Sequence, residues 1–249
     1  MLRVHSSFHK CLTTYYIRIM NALYNPSRLL RRRYIHFESI EGQFYNEMHK
    51  YRLVSTNGFA INPACFLKDR EYRITRFIRD PRDLVISGYF YHLKGAEPWF
   101  RFKQPTPKYW SPINGNIPQA MPPNISYAEY LNQLSKEEGL LAEIEFRKFH
   151  LESLRNWPKN DKHIRIYRYE DILGNERAVF RDMFDFYEVT SVEKKLGAHL
   201  ADKYSMNKMK QDKHIRDPSP EQWKVHFSPR VEAVFEENYG DILEALSYR

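Results

Sequence analysis

Residues 2–23 read LRVHSSFHKCLTTYYIRIMNAL, and this stretch decides the fold. Leu2, Val4 and Phe8 with polar residues between them predict a strand over Met1–Phe8, beginning almost at the first residue. From Thr13 to Leu23 the period changes: Tyr16, Ile17, Met20 and Leu23 follow helical spacing, and Asn25-Pro26 ends the run. The pattern is strand, short turn, helix. The turn, His9-Lys10-Cys11-Leu12-Thr13-Thr14-Tyr15, lies where backbone N–H groups and the positive end of a helix create an anion site. Lys10 adds a full charge, and Thr13 and Thr14 add hydroxyls. A Walker A loop places its Lys directly before a Ser or Thr and is rich in glycine. Here Lys10 stands three residues ahead of Thr13 with no glycine, which excludes a standard ATP or GTP site.

Further strands are predicted at Tyr34–Phe37, after the basic run Arg28–Arg33, and at Tyr51–Ser55, ended by Asn57-Gly58. A fourth runs over Tyr72–Ile78, followed by Arg79-Asp80-Pro81 and a helix from Arg82 to about Leu93, with Pro81 near the favoured first helical position. Ile164–Tyr169 makes a fifth. Strands alternating with helices predict an α/β fold, a three-layer α/β/α arrangement with a central parallel sheet and a phosphate-binding loop after the first strand. One domain over residues 1–249 is expected. Within it, residues 96–124 carry Pro98, Pro105, Pro107, Pro112, Pro118, Pro122 and Pro123 beside Trp99, Phe100, Tyr109 and Trp110, and read as an ordered lid or insertion. Ser126 and Glu129 form a capping box that restarts helix, and Leu140–Leu154 continues as an amphipathic one.

With 42% hydrophobic and 28% charged residues the chain of 249 has the composition of a globular core, which excludes extensive disorder and disulfide scaffolds. A net charge of +8 favours anionic partners. No apolar run is long enough for a transmembrane helix and no secretory signal pattern is present, so a cytoplasmic protein is expected. Cys11 and Cys65 read as two thiols rather than a staple. The ten histidines are scattered without metal-ligand spacing, and no metal is expected.

A second cluster gives the first loop its meaning. Arg79-Asp80-Pro81-Arg82-Asp83-Leu84-Val85-Ile86-Ser87-Gly88-Tyr89-Phe90 places an Arg at a strand end and a hydroxyl about two turns into the following helix, a good receptor for a phosphate monoester. The chain resembles the PAPS-dependent sulfotransferases of the bacterial and cytosolic type, which move a sulfuryl group from 3′-phosphoadenosine 5′-phosphosulfate (PAPS) to a hydroxyl or amine. Residues 9–15 are similar to the family's P-K-S-G-T-T-W loop, and Arg79 through Tyr89 fit its R-N/D-P-R-D-x-x-x-S-x-Y motif. Arg168-Tyr169-Glu170-Asp171-Ile172 resembles R-Y-E-D-L, and Ser205 to Lys210 falls where the family has S-F-x-x-M-K. Arg216 followed by Trp223-Lys224-Val225-His226-Phe227 is similar to R-K-G-x-x-G-D-W-K-x-x-F, and residues 235–243 follow the family's closing helix.

The resemblance implies that Lys10, the loop N–H groups of Cys11 and Leu12, Thr13 and Thr14 hold the 5′-phosphosulfate, with Lys10 neutralising the leaving phosphate. It implies that Arg79 and Ser87 grip the 3′-phosphate with Arg216 as a second cation, that Tyr15 stacks on adenine, and that Tyr169 contacts it from the side. PAPS is the co-substrate, PAP the product, and no metal takes part. Leu12 stands where the family has a Gly that lets the backbone approach the phosphate, Asp217-Pro218 replaces Lys-Gly, and Glu221 replaces a second Gly.

Cytosolic members take the acceptor proton with a His in K-T-H, whose spacing from the motif Arg falls here on Asn57. Heparan and tyrosyl-protein enzymes use a Glu just after the second strand, where this chain has His36-Phe37-Glu38. Glu38 is the first candidate base and His36 the second. Tyr89, Tyr91, Trp99, Phe100, Tyr109 and Trp110 suggest an aromatic-walled acceptor pocket that suits a sugar, a phenol or a lipid-like alcohol alike. Two other readings compete. A P-loop nucleotide kinase needs a Mg²⁺-binding hydroxyl directly after the Lys, where Cys11 stands. A nucleic-acid or polyanion binder would concentrate its charge on one element, and only Arg28–Arg33 is dense, so no nucleic acid is expected as a partner.

Overall fold

In the computed structural model the chain runs β1 (Leu2–Ser7), α1 (Thr13–Tyr24), β2 (Tyr34–Phe37), α2 (Gly42–Glu47), β3 (Leu53–Thr56), β4 (Tyr72–Ile78), α3 (Pro81–Leu93), α4 (Pro107–Trp110), α5 (Tyr127–Gln133), α6 (Lys136–Phe146), α7 (Lys148–Arg155), β5 (Ile164–Arg168), α8 (Tyr169–Ile172), α9 (Glu176–Phe186), α10 (Ser191–Lys203), α11 (Trp223–His226) and α12 (Pro229–Ala245). The structure describes all residues except 9, 28–30, 39–41, 59–60, 62–70, 159–160, 206–207 and 209–216. Cys65 and Arg216 therefore lie outside the described residues. The chain divides into two compact units, one of Met1–Arg79 with Pro158–Pro218 and one of Asp80–Trp157 with Ser219–Arg249.

The first unit is built on a five-stranded sheet of order β2-β3-β1-β4-β5. Every pairing is parallel. This is the sheet that the alternation of elements predicts. The alternation within Leu2–Ser7, however, points its polar residues toward solvent, and here the structure differs: all six residues of β1 are buried. The polar side chains are kept inside by pairing with one another. In register across the sheet stand His36, Ser55, His5, Thr75 and Arg165. His5 hydrogen-bonds Thr75 Oγ1 through Nδ1 at 2.9 Å and Ser7 Oγ through Nε2 at 2.7 Å. Tyr16 of α1 stacks on its ring at 3.7 Å, and Tyr187 hydrogen-bonds Thr75 and donates to the Val4 carbonyl at 3.2 Å.

Burial pushes His5 well below the usual imidazole range, helped by the charges of His36 and Arg76, and burial lowers His36 against the upward pull of Glu38. Both folded values then lie below the unfolded value of about 6.5, so the unfolded chain takes up more protons on acidification. The stability these neutral rings contribute is complete above about pH 6.5 and is lost as pH falls toward the folded values, by up to about 1.4 kcal/mol per pH unit for each ring. Thermal melts between pH 7.5 and 5 should show a falling midpoint that His5→Asn flattens. A midpoint level down to pH 5 in the parent protein would contradict this.

In the second unit the motif residues Asp80–Tyr89 spend much of their sequence on starting a helix. Asp80 caps α3 by accepting from Arg82 N–H at 2.9 Å, and Pro81 occupies the first turn. Arg82 grips the Asp80 carboxylate with two nitrogens at 3.0 and 2.7 Å and lies 3.7 Å over the Trp223 ring. Asp83 accepts from the Trp223 N–H at 2.9 Å, which sets the start of α11. The helix expected over Leu140–Leu154 is two helices, parted at Arg147. Apolar spacing runs through the break, whereas the Arg147 side chain turns inward: Nε donates to Glu143 Oε1 at 2.7 Å, while His92 and Tyr127 hold Oε2 at 2.8 and 3.0 Å.

That buried group needs Gly88. A Cβ there would collide with Arg147 Nη2 and Glu143 Oε1. Arg147 and Glu143 are both fully buried, so neither has space to retreat. Gly88→Ala is expected to cost about 3 kcal/mol, the scale of a strained core or a disturbed buried ion pair, and to lower the thermal midpoint by about 6–12 °C. An unchanged midpoint would show that the pair moves freely.

The proline-rich segment belongs to this unit's packing. Phe100 and Trp110 are buried against Tyr127 and Phe146. Tyr89 is buried too, its ring under the Gly139 position. These expected pocket walls are core residues, because a short 3₁₀ turn at Pro98–Phe100 aims Phe100 inward, helix α4 aims Trp110 inward and α3 carries Tyr89. Phe102 remains exposed and stacks on Tyr109 at 4.3 Å.

Candidate active site

Parallel strands deliver their carboxyl ends to one edge of a sheet, and ligands of open α/β sheets collect there. In the first unit that edge receives the Lys10 loop after β1, Glu38 after β2, Asn57 after β3, Arg79 after β4 and Tyr169 after β5. Residues distant in sequence thus share one border because of strand order alone. Asn25 fastens the end of α1 to the edge strand β2: its Oδ1 accepts from the N–H groups of Arg33 and Tyr34 at 3.0 and 3.2 Å, and its Nδ2 donates to the Tyr34 carbonyl at 2.9 Å.

The loop before α1 is tied by one carbonyl. Phe8 C=O accepts from the Cys11 N–H at 2.9 Å and from the Thr13 hydroxyl at 3.2 Å. The Cys11 N–H and the Thr13 hydroxyl proton expected to face phosphate are thereby used within the loop. Lys10 and Leu12 both have positive φ, 71° and 60°. Left-handed non-glycine residues cost roughly 1–2 kcal/mol each, and such strain collects at functional sites. At Leu12 the burial of the side chain, worth about 1.5–3 kcal/mol, offsets it, so a leucine stands where a glycine is expected. No side chain caps α1. The first-turn N–H groups of Thr13, Thr14 and Tyr15 have no intrahelical partner, and the Thr14 side chain is exposed beside them. Beneath the loop the fully buried Arg76 guanidinium lies 4.1 Å over the Phe8 ring. Burial pushes it down to about 9, opposed by the charge of Cys11, so it stays a cation at neutral pH.

Arg79 is buried at the end of β4 with its guanidinium 4.4 Å over the Tyr169 ring. The Tyr169 hydroxyl donates to the Pro218 carbonyl at 2.6 Å, so the Asp217-Pro218 substitution is joined to this corner. Tyr15 is held by the helices beside α1. Its hydroxyl donates to the Ala201 carbonyl of α10 at 2.6 Å and its ring meets Phe180 of α9 edge-on. Ser87 stands half-buried in α3 of the second unit.

Glu38 is exposed just past β2, and Asn57 Nδ2 donates to its Oε2 at 3.0 Å. His36 is turned into the sheet: Nδ1 lies 2.8 Å from Ser55 Oγ, which also hydrogen-bonds the Tyr34 hydroxyl at 2.5 Å. Of the two candidate bases, Glu38 is the one on the edge. Asn57 Oδ1 is buried without a hydrogen-bond partner among the described residues. An unmet buried acceptor costs about 1–3 kcal/mol, and each instance calls for a reason.

A family model described as a sulfotransferase domain matches residues 4–247. The chain belongs to the sulfotransferase domain family. Among solved structures it is similar to mouse sulfotransferase SULT7A1 complexed with PAP, at 16% identity and a TM-score of 0.51, covering 97% of this chain and 84% of that one. It is also similar to retinol dehydratase in complex with androsterone and inactive cofactor PAP, at 14% identity and a TM-score of 0.53, covering 97% and 80%. At such identity the likeness is one of fold, the central parallel sheet flanked by helices. A search of curated proteins finds no match. Among the described residues no group of side chains has the makings of a metal site, and no helix is long and apolar enough to cross a membrane.

Within the family pattern, sequence reading passes over two residues of this edge. Asn57 marks only a strand end and a missing histidine, and its contact with Glu38 depends on two strands being neighbours. Arg76 does carry a signal, a charge between Ile74 and Phe77 in a strand of a buried parallel sheet, where it calls for a partner.

Proposed function

We propose that the protein is a PAPS-dependent sulfotransferase whose nucleotide lies along the carboxyl edge of the first unit's sheet. The observation that carries this reading is the uncapped start of α1 beside Lys10, within a chain matched over residues 4–247 to the sulfotransferase domain. The donor set suits the group. Lys10, the first-turn N–H groups, the Thr14 hydroxyl and the buried Arg76 charge form an anion receptor that contains no carboxylate. The likeness to solved structures holding PAP, one of them a sulfotransferase, supports the same nucleotide.

In this reading the loop from Lys10 to Thr14 holds the 5′ end and Arg79 holds the 3′-phosphate. Tyr169, braced between Arg79 and Pro218, takes the adenine contact, while Tyr15 anchors α1 to α10. PAPS supplies the sulfuryl group. The acceptor oxygen or nitrogen bonds sulfur as the bond from sulfur to the bridging 5′-phosphate oxygen breaks. The electron pair stays on that oxygen, beside Lys10, and the acceptor proton passes to Glu38. The acceptor is an alcohol or an amine. We place the protein in the cytoplasm, where a buried free thiol such as Cys11 is at home.

Calorimetry with PAP in EDTA tests the reading, because every proposed contact is a hydrogen-bond donor, a cation or an aromatic ring and none needs a divalent ion. Binding and a raised thermal midpoint are expected. No heat and no shift would end it.

A further inference from the structure

The pairing of Asn57 with Glu38 has a purpose that the stability of the fold does not supply. Asn57 follows β3 and Glu38 follows β2, one residue beyond the in-register pair Phe37 and Thr56. The backbone around Asn57 is pinned. Its N–H donates to the Phe37 carbonyl at 3.3 Å, the next N–H, of Gly58, donates to Thr56 Oγ1 at 2.9 Å, and the Gly58 carbonyl accepts from Ser6 Oγ at 2.9 Å. The amide orientation follows from donor accounting: a carboxylate only accepts, so Asn57 must turn its NH₂ group to Glu38 and leave Oδ1 behind. That Oδ1 is buried with no partner among the described residues. A leucine or alanine there would leave no unmet acceptor. Among the described residues, the one hydrogen bond that the Asn57 side chain makes is the 3.0 Å bond that holds the Glu38 carboxylate.

We infer that Asn57 is a positioning residue: it fixes Glu38, through Nδ2 and Oε2, in the orientation that receives the acceptor's proton. The inference rests on Glu38 as the proton-accepting group proposed above. Glu38 is an exposed side chain, and small misplacements of a reacting group are costly in rate.

The test compares Asn57→Ala, Asn57→Ser, Glu38→Gln and the Asn57→Ala/Glu38→Gln double variant by three measurements: thermal midpoint, PAP affinity, and PAP released from PAPS with a pooled panel of alcohols and amines. Asn57→Ala is expected to keep its midpoint within about 2 °C or to raise it, since it loses one exposed bond and one unmet acceptor. PAP affinity should stay within about twofold, and turnover should fall by about tenfold or more at little change in acceptor KM. Asn57→Ser, which keeps a donor, should recover part of the rate. In the Glu38→Gln background Asn57→Ala should cost almost nothing further, because a residue acting through Glu38 has nothing left to act on. A clear drop in the Asn57→Ala midpoint would make the residue structural and overturn the inference. Full turnover of Asn57→Ala beside a dead Glu38→Gln, or losses that add in the double variant, would overturn it as well. Full turnover of Glu38→Gln, or no turnover in the parent protein, would instead overturn the reading on which it rests.

Discussion

Lys10→Ala should lower turnover by about 10²–10³-fold while PAP affinity falls far less, as expected for a fixed positive group that meets charge growing in the transition state. Lys10 sits in a left-handed backbone conformation in the loop three residues ahead of the uncapped α1. The N–H groups and the buried Arg76 beneath still receive the anion when the Lys is gone, so ground-state binding survives. Arg79→Ala should behave the other way. Its guanidinium lies over Tyr169 at the far end of β4, and in the proposed role it grips a phosphate remote from the breaking bond. Its loss should weaken PAP by about 30-fold or more, the worth of a charge-assisted hydrogen bond, with a smaller effect on turnover at saturation. PAP calorimetry and PAPS turnover measured on both variants check the contrast. Equal effects of the two on both quantities would contradict the assigned roles.

The second large effect concerns the base. Glu38→Gln keeps the shape and an acceptor oxygen for Asn57, yet it should reduce turnover by about 100-fold or more, the usual scale for loss of a general base. His36→Asn should be mild, since His36 faces Ser55 inside the sheet. The variants are a more direct test than a pH–rate profile, because burial lowers His36 from its ordinary value, in the direction of the carboxylates. A dead His36→Asn beside an active Glu38→Gln would reverse the assignment.

The strands that hold this site were legible for a simple reason. β2 and β4 are short runs of aromatic and β-branched residues bounded by turn signals, and both fall at the predicted limits. The loop between β1 and α1 was legible as a strand-to-helix turn because its residues are all adjacent. What adjacency does not carry was lost. The polar row from His36 to Arg165 joins five strands, so no one strand's alternation shows that His5 and Thr75 satisfy each other inside. Tyr15 illustrates the same limit: its position in the motif points to a ligand, whereas its hydroxyl finds Ala201 from a helix far along the chain. The Asn57–Glu38 contact and the break at Arg147 likewise depend on partners that only the fold brings close.

A crystal structure of the PAP complex is expected to show the nucleotide along the carboxyl edge of the first unit's sheet, with the 5′-phosphate at the first turn of α1 within hydrogen-bond reach of Lys10 and Thr14, the 3′-phosphate on Arg79 and the adenine against Tyr169. A nucleotide bound elsewhere, or bound at this edge with its 5′-phosphate away from Lys10, would contradict that placement.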